Sequence, residues 1–277
     1  ARSDAVFIQR VLPPAGITAR LAALKKRLVY DFDDAVYLGG TEREMRFREM
    51  MRAASRVIAV SSAAAREAVR LGAEESRVAV IPSPVDCSGY RVRPAGGARS
   101  SFTVGWVGSP PTTPYLKAIW PELAAFAGKN PAARFVFVGA KKFDAGVFAD
   151  RVRFEPWSEV NEKELPALFD AGLMPLPDDP WCRGKGGYKL IQYMAAGVAC
   201  LASPVGANLE VVEEGRTGFF ARESGDWLGL LDRLAGDPSL CGSLGAAGRE
   251  RAEKMYDYKA TSGLFQQVLA EASRSSA

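Results

Sequence analysis

The sequence predicts an α/β protein of two doubly wound domains, each built on a parallel β-sheet. Short apolar runs rich in Val, Ile and Phe alternate with amphipathic helical patterns, as buried parallel strands and their crossover helices do. The alternation stops at residues 90–101, a stretch rich in Arg, Gly, Pro and Ser, and then restarts. The length of 277 residues also suits two domains. We therefore predict domains at residues 1–88 and 89–277.

The first series of patterns predicts four strands separated by helices. Strands are expected at 5–8, 28–30, 56–60 and 78–81, and helices at 17–26, 42–54 and 63–71. Ser61 and Ser62 are suitable caps for the third helix. The chain opens at Ala1 without a methionine and enters a strand almost at once. We therefore expect the N-terminal part of this domain to be incomplete.

The second series predicts a larger sheet. Strands are expected at 102–107, 133–138, 152–154, 172–176 and 198–202, and helices at 116–127, 162–169, 188–196, 224–235 and 243–269. Ligands of doubly wound sheets bind beyond the carboxyl ends of the strands. A binding site is therefore expected in the loops that follow these five strands.

Composition excludes several classes of chemistry. The chain has no histidine, which removes Ser-His and Cys-His nucleophile pairs and argues against a zinc site. The net charge of +4 is too small to indicate a nucleic-acid partner. The cysteines, which lie at positions 87, 182, 200 and 241, lack metal-ligand spacing and are expected to be reduced thiols of a cytoplasmic protein. No apolar run reaches the roughly 18 residues of a membrane span.

A glycine- and lysine-rich loop at residues 181–187 precedes the helix expected at 188–196. Free amide groups at a helix N-terminus bind anions, and Gly186 and Gly187 allow a phosphate to approach the backbone. Arg183, Lys185 and Lys189 add positive charge, which a helix N-terminus alone disfavours. The pattern therefore indicates an anionic ligand. A solvated basic loop is the alternative.

Three segments carry a resemblance to a known family. Residues 189–197 followed by 201–208, together with 213–219, resemble the donor-site signature of glycosyltransferase family 4. Residues 57–61 through 80–86 are similar to the end of that family's first domain and its crossing into the second. The resemblance covers nearly the whole chain. It implies the GT-B fold of two Rossmann-like domains, the first one truncated, with the final helix packing back on the first domain.

The resemblance implies an enzyme that moves a sugar from a nucleoside diphosphate, UDP- or GDP-linked, with retained anomeric configuration and without a metal or cofactor. Arg183 and Lys185 would then act catalytically on the leaving diphosphate. The donor would lie on Gly108, Ser109, Trp157, Gly186, Gly187, Tyr188, Lys189, Gln192, Gly206, Asn208 and Glu210. The acceptor would be a glycan, a lipid-linked sugar or a small molecule, met by Asp33 and Asp34.

Ordinary structural roles stay open for several of these residues. Ser109 suits a Pro-rich capped turn, Asn208 suits a helix cap, and Trp157 suits a partly buried aromatic position. Asp33 and Asp34 suit a solvated acidic turn. Lys25-Lys26-Arg27 suits a solvated helix face or peripheral contact with anionic lipid at the inner face of a membrane.

The chain departs from the family at two positions. The family's two glutamates, eight positions apart, align with Gly184 and Gln192. The Gln192 amide can still bind a ribose hydroxyl group, whereas Gly184 has no side chain to offer. Lys185 or the acidic pair Asp178 and Asp179 would then contribute in its place. A non-catalytic sugar-nucleotide-binding subunit or a fragment is therefore an alternative. A sugar-nucleotide epimerase is a weaker one, because such enzymes resemble a pattern with histidines.

Overall fold

A computed structural model describes residues 5–14, 16–23, 27–94 and 101–274. Its strands are β1 (Ala5–Gln9), β2 (Arg27–Phe32), β3 (Arg56–Ala59), β4 (Val78–Val80), β5 (Thr103–Val107), β6 (Arg134–Val138), β7 (Val152–Glu155), β8 (Ala171–Met174), β9 (Ala199–Ala202) and β10 (Gly218–Phe220). Its α-helices are α1 (Ile17–Ala23), α2 (Thr41–Ala53), α3 (Ser62–Arg70), α4 (Thr113–Ala118), α5 (Trp120–Lys129), α6 (Glu159–Glu164), α7 (Pro180–Arg183), α8 (Tyr188–Ala195), α9 (Asn208–Val211), α10 (Asp226–Gly236), α11 (Pro238–Met255) and α12 (Tyr258–Arg274).

The predicted fold class is confirmed, because the strands form two parallel sheets in two compact units. The first unit comprises residues 1–84, 178–186 and 258–277, and the second comprises 85–177 and 187–257. This division differs from the predicted limits of 1–88 and 89–277, because the contacts of α7 and α12 are with the first sheet's unit. Within the described residues, no helix combines the length and apolarity needed to cross a bilayer.

The first sheet has the order β1-β2-β3-β4, with every pair parallel. Alternate residues of a strand point to opposite faces. Tyr30 and Phe32 pack with Phe47 of α2 on one face. On the other face, Val29 and Ile58 form a smaller core. That core is completed by residues of α12, so α12 covers the second face of the sheet.

The second sheet has the order β10-β9-β8-β5-β6-β7, again with every pair parallel. The chain builds outward from β5 to β7 on one side and from β8 to β10 on the other. The order therefore reverses between β5 and β8, and such switch points are where doubly wound sheets bind ligands. The core includes the fully buried aromatic residues Trp106, Phe135 and Phe137.

Two long predicted helices are each broken in two. The helix expected at 116–127 is interrupted at Ile119, between α4 and α5, because Pro121 lacks an N–H and clashes with the preceding turn. The helix expected at 243–269 is interrupted at Tyr256–Asp257. Val85 donates its N–H to the Tyr256 carbonyl (2.8 Å), and Cys87 donates to Asp257 Oδ2 (3.0 Å). Tertiary hydrogen bonds therefore fix the second break.

The short elements α7, α9 and β10 are present but were not predicted. Lys25 and Lys26, placed in a lipid-contacting helix as one alternative, lie outside the described residues, and so do residues 95–100 of the expected linker.

Candidate functional site

Three loops meet at the carboxyl edge of the second sheet. They follow β5, β6 and β7 and begin at Gly108, Gly139 and Pro156. Gly139 has a φ of 74°, and a Cβ atom there would overlap the Gly108 carbonyl oxygen and lie 3.2 Å from Trp157 Cβ. The close approach of these backbones therefore requires glycine at position 139. Two residues predicted to bind the donor, Gly108 and Trp157, are thereby brought to one place.

The phenol of Tyr193 holds the switch point between β5 and β8. Its oxygen accepts a hydrogen bond from the Val107 N–H (2.9 Å) and donates to the Leu173 carbonyl (3.0 Å). Burial raises the pKa of this phenol, so it keeps the proton that it donates. Tyr193 belongs to α8, and its two hydrogen bonds fix α8 against the carboxyl ends of both strands.

The N-terminus of α8 lies beside the loop that follows β9. Gly187 is its N-cap residue, with a φ of 70°, and a Cβ atom there would lie 3.1 Å from Val211 Cγ2 and 3.6 Å from Asn208 Oδ1. Gly187 has no side chain to occupy the first amide groups of the helix. Lys189 adds a positive charge in this first turn, with Nζ 5.7 Å from the centroid of the Trp106 ring.

The loop after β9 is held by hydrogen bonds to its backbone. The buried Asn208 side chain donates to the Ser203 carbonyl (2.9 Å), and Ser203 Oγ accepts from the Leu176 N–H (3.0 Å). Arg251 donates to the carbonyl groups of Glu210 (2.7 Å) and Val211. Asn208 thus shapes the loop through its side chain, and Gly206, with a φ of 55°, allows the turn.

Ser109 and Trp157 are exposed residues of the loops at this edge. The Ser109 N–H donates to Thr112 Oγ1 (3.1 Å), which closes the turn expected of a Pro-rich capped segment. The Trp157 side chain is 54% exposed, and its Nε1 donates to Glu162 Oε2 (2.7 Å). The indole is therefore held in one orientation while much of its surface faces solvent.

Gln192 and Tyr188 occupy different environments on α8. Gln192 is 2% exposed, and its Nε2 donates to Tyr90 Oη (3.1 Å). Tyr188 is 39% exposed. Contact of the Gln192 amide with a ribose therefore stays a prediction, and it requires a ligand that reaches a nearly buried group.

The segment at residues 178–186 belongs to the first unit, and Arg183 pairs with an acidic residue of the same segment. Arg183 donates to Asp178 through Nε (2.5 Å) and Nη2 (2.9 Å), and this guanidinium holds the pKa of the Asp178 carboxyl below its usual value. Asp179 Oδ1 caps α7 at the Cys182 N–H (2.7 Å). Lys185 Nζ lies 5.2 Å from the centroid of the Trp181 ring, a cation–π distance. Arg183 is therefore already neutralised within the loop.

Glycine is required at positions 184 and 186 by packing within the first unit. A Cβ atom at Gly184 would lie 2.7 Å from Ala35 Cβ, and one at Gly186 would lie 2.5 Å from Val60 Cγ2. Both distances are too short for carbon–carbon contact. A glutamate at position 184 has no room in this arrangement, which gives a physical reason for the departure found in the sequence.

The acidic turn after β2 forms ion pairs with Arg10, whose backbone conformation is strained. Arg10 Nε contacts Asp33 Oδ1 (3.0 Å), and Arg10 Nη2 contacts Asp34 Oδ2 (2.8 Å). Arg10 has a φ of 59°, which is uncommon for a residue with a side chain, and its N–H bonds the Asp31 carbonyl (2.8 Å). Burial raises the pKa of Asp33. The two acidic residues predicted on the acceptor side are thus oriented by Arg10.

Comparison with known protein families covers both parts of the chain. The family described as "Glycosyl transferases group 1" matches residues 102–236, and "Glycosyltransferase Family 4" matches residues 2–88. The chain belongs to glycosyltransferase family 4. It is therefore an enzyme of the class that transfers sugars, and the resemblance described from the sequence is confirmed.

Solved structures similar to this glycosyltransferase have low sequence identity. Anabaena Alr3699/HepE, crystallised with UDP and glucose, has a TM-score of 0.77 and 19% identity, over 91% of this chain and 74% of that one. A Rickettsia africae glycosyltransferase has a TM-score of 0.75 and 13% identity, over 98% of this chain and 77% of that one. Sucrose-phosphate synthase from Thermosynechococcus elongatus has a TM-score of 0.68 and 19% identity, over 88% of this chain and 68% of that one. These likenesses establish the GT-B fold. A search of curated protein sequences found no match.

The glycosyltransferase also has a cavity of about 500 Å³ within its first unit. It lies at the carboxyl edge of the first sheet, and Gln9, Asp31, Asp33, Tyr258 and Phe265 are among its lining residues. Of these, only Asp33 was predicted to belong to a site. The contribution of α12 to the lining of the cavity depends on packing between residues far apart in the sequence, so it could not be predicted. Asp31 could have been recognised as a lining residue, because it is a polar residue two positions after Val29 on a strand whose face is covered.

Proposed function

We propose that this glycosyltransferase transfers a sugar from a uridine diphosphate donor to an acceptor hydroxyl group, and that the donor lies on the carboxyl edge of the second sheet. The observation that carries the proposal is the N-terminus of α8, where the N-cap residue Gly187 makes no side-chain hydrogen bond to the first turn and Lys189 adds charge. A diphosphate is the ligand that such a terminus favours. Alr3699/HepE carries UDP in its structures, which supports uracil over guanine.

We assign the diphosphate to the α8 amide groups and Lys189, and the catalytic role of Lys185 that the family resemblance implies stays a prediction. Arg183 receives a smaller role than the sequence predicted, because its guanidinium already binds Asp178. We keep Gly108 at the donor site as the sequence predicted, and the exposed face of Trp157 suits a base. Preorganised amide groups and cations of this kind stabilise the charge that develops on a leaving phosphate.

The family resemblance supports transfer with retained configuration and without a metal. The C1–O bond to the diphosphate breaks as a bond forms between C1 and the acceptor oxygen on the same face of the sugar. The acceptor proton passes to an oxygen of the leaving diphosphate. The absence of histidine from the chain is compatible with this role of the leaving group as the base.

Titration calorimetry with UDP, GDP and ADP tests the donor site. UDP is expected to bind most tightly, and Lys189→Ala should weaken UDP binding by about tenfold or more, as the loss of a charge-assisted hydrogen bond does. Lys117→Ala, which removes an exposed lysine from the last turn of α4, is the control and should bind UDP like the natural chain. Equal loss in both variants, or no UDP binding by folded protein, contradicts the assignment.

A non-catalytic nucleotide-binding module is the second candidate, and the closed packing at Gly184 favours it. The two functions differ in turnover. A transferase releases UDP from a UDP-sugar, slowly to water and faster with an acceptor, and proton NMR of the product would show the anomeric configuration. Tight UDP binding with no UDP release from UDP-glucose, UDP-galactose or UDP-N-acetylglucosamine would favour the module.

A further inference from the structure

Two buried polar side chains of the second unit form a pair, Gln192 of α8 and Tyr90 of the segment that follows β4. Gln192 is 2% exposed and Tyr90 is 5% exposed. Gln192 Nε2 donates a hydrogen bond to Tyr90 Oη at 3.1 Å. Within the described part of the chain, no donor bonds the amide oxygen of Gln192. A buried amide is costly unless its groups have partners, so the free oxygen points to a ligand.

The direction of this hydrogen bond follows from the second partner of Tyr90. Burial is the main cause of the raised pKa of Tyr90, and Tyr188 raises it further, in part through a hydrogen bond. A hydrogen bond raises the pKa of a phenol when the phenol donates it, because ionisation removes that bond. The bond from Gln192 lowers the pKa, as a bond that the phenol accepts should. Tyr90 therefore gives its one proton to Tyr188, and its oxygen accepts from Gln192.

The backbone around Tyr90 is tied to the second unit on both sides. Before it, Arg249 Nη1 donates to the Cys87 carbonyl (2.8 Å). After it, the Arg93 N–H donates to the carbonyl of Ala196, the C-cap residue of α8 (2.8 Å). Tyr90 is thus held at a fixed position beside α8, as a residue that orients another side chain must be.

The two ends of the Gln192 amide recognise opposite partners, because the nitrogen donates hydrogen bonds and the oxygen accepts them. Since Tyr90 occupies the nitrogen end, the oxygen is the end that a ligand meets. A hydroxyl group can donate to this oxygen, whereas a C–H group in its place cannot. An amide held in this orientation offers an uncharged acceptor where the family resemblance places a glutamate.

We propose that Tyr90 is a positioning residue, which orients the Gln192 amide so that its oxygen accepts from a ribose hydroxyl group of the nucleotide. The site then selects a ribonucleotide over its deoxy counterpart. Tyr90 acts through Gln192 and takes no part in the transfer itself. The proposal rests on the proposed function, because it requires the nucleotide to lie against α8.

Calorimetry with UDP and 2′,3′-dideoxy-UDP on the full chain tests this role. The natural chain is expected to bind UDP about three- to tenfold more tightly than the dideoxy analogue, the range that one neutral hydrogen bond provides. Tyr90→Phe removes the acceptor for Gln192 Nε2, so the amide loses its fixed orientation. This variant should bind the two ligands alike, with UDP weakened and the dideoxy analogue unchanged. A purely structural role of Tyr90 would weaken both ligands by the same factor.

Two variants serve as controls for the preference between the ligands. Gln192→Met removes both ends of the amide at similar volume, so it should abolish the preference, and adding Tyr90→Phe should change nothing further. Tyr256→Phe removes the hydroxyl group of another buried tyrosine of the same unit and should keep the natural preference. Thermal unfolding of each variant verifies that it is folded.

Nitrogen-15 NMR of the free protein tests the hydrogen bond without nucleotide. The side-chain amide signals of Gln192 are assigned by their absence from the spectrum of Gln192→Met. They should shift in Tyr90→Phe and stay in place in Tyr256→Phe. Unchanged signals in Tyr90→Phe would overturn the proposal.

The titrations also separate this proposal from the proposed function. Folded natural chain that binds no UDP overturns the donor site, and the role of Tyr90 with it. UDP binding without a preference over the dideoxy analogue overturns the role of Tyr90 alone, and so does a preference that survives in Tyr90→Phe. A preference lost in Tyr90→Phe and kept in Tyr256→Phe supports the proposal.

Discussion

At the scale of the residue, buried hydroxyl groups and glycines fix the candidate donor site more than its charged residues do. Tyr193 joins β5 and β8 through two hydrogen bonds, and Gly187 permits the approach of α8 to Val211. The sequence predicted Gly187 and Lys189 correctly as residues of a helix N-terminus. Tyr193 could not be singled out from the sequence, because its role depends on two backbone groups that lie far from it in the chain.

Tyr193→Phe should lower the free energy of unfolding by about 1–3 kcal/mol, because it leaves a buried N–H and a buried carbonyl group unpaired. Tyr30→Phe is a matched control, since the Tyr30 hydroxyl is also buried but has no hydrogen-bond partner among the described residues. Its removal should be neutral or stabilising. Urea denaturation of both variants measures the difference, and equal destabilisation would contradict the hydrogen bonds of Tyr193.

At the scale of the element, apolar runs located every strand of the first sheet and five of the six in the second, because buried parallel strands are recognisable from composition. The strand β10 was missed because it has only three residues. The break between α4 and α5 could have been predicted from Pro121. The break between α11 and α12 had no local signal, since hydrogen bonds from Val85 and Cys87 create it.

Gly139→Ala should separate the loops that follow β5 and β6, because the added Cβ overlaps the Gly108 carbonyl. Gly146→Ala provides the control, since Gly146 also has a positive φ, 61°, but has open space around it. Backbone strain alone costs about 1 kcal/mol. We expect thermal unfolding to show a larger loss for Gly139→Ala, with weaker UDP binding in that variant only. Similar losses of stability in both would show that strain, rather than contact, sets the requirement.

At the scale of the whole molecule, each unit is assembled from separate stretches of sequence. The chain changes unit at residues 84–85, 177–178, 186–187 and 257–258. Composition and periodicity predicted two domains but assigned residues 178–186 to the second. Their contacts with Ala35 and Val60 in the first unit depend on side-chain fit at two glycines, which no pattern of hydrophobicity reveals.

The four cysteines distinguish the units experimentally. All are buried and none forms a disulfide, with Cys182 in the first unit and the others in the second. Burial raises the pKa of Cys87 and of Cys241 to about 12, so little reactive thiolate exists at pH 8. Alkylation followed by mass spectrometry should find all four protected in the native chain, with Cys87, Cys200 and Cys241 becoming reactive together as denaturant is added. Rapid labelling of one thiol in buffer would contradict this burial.

The position of α12 has a consequence for synthesis on the ribosome. The apolar residues Val29 and Ile58 are made early, but the helix that covers them follows the entire second unit. Domains form as their residues emerge, so the second unit can fold while one face of the first sheet is still bare. A nascent chain paused before α12 emerges would therefore expose an apolar surface that a chaperone can bind, and release from that chaperone would coincide with the emergence of α12.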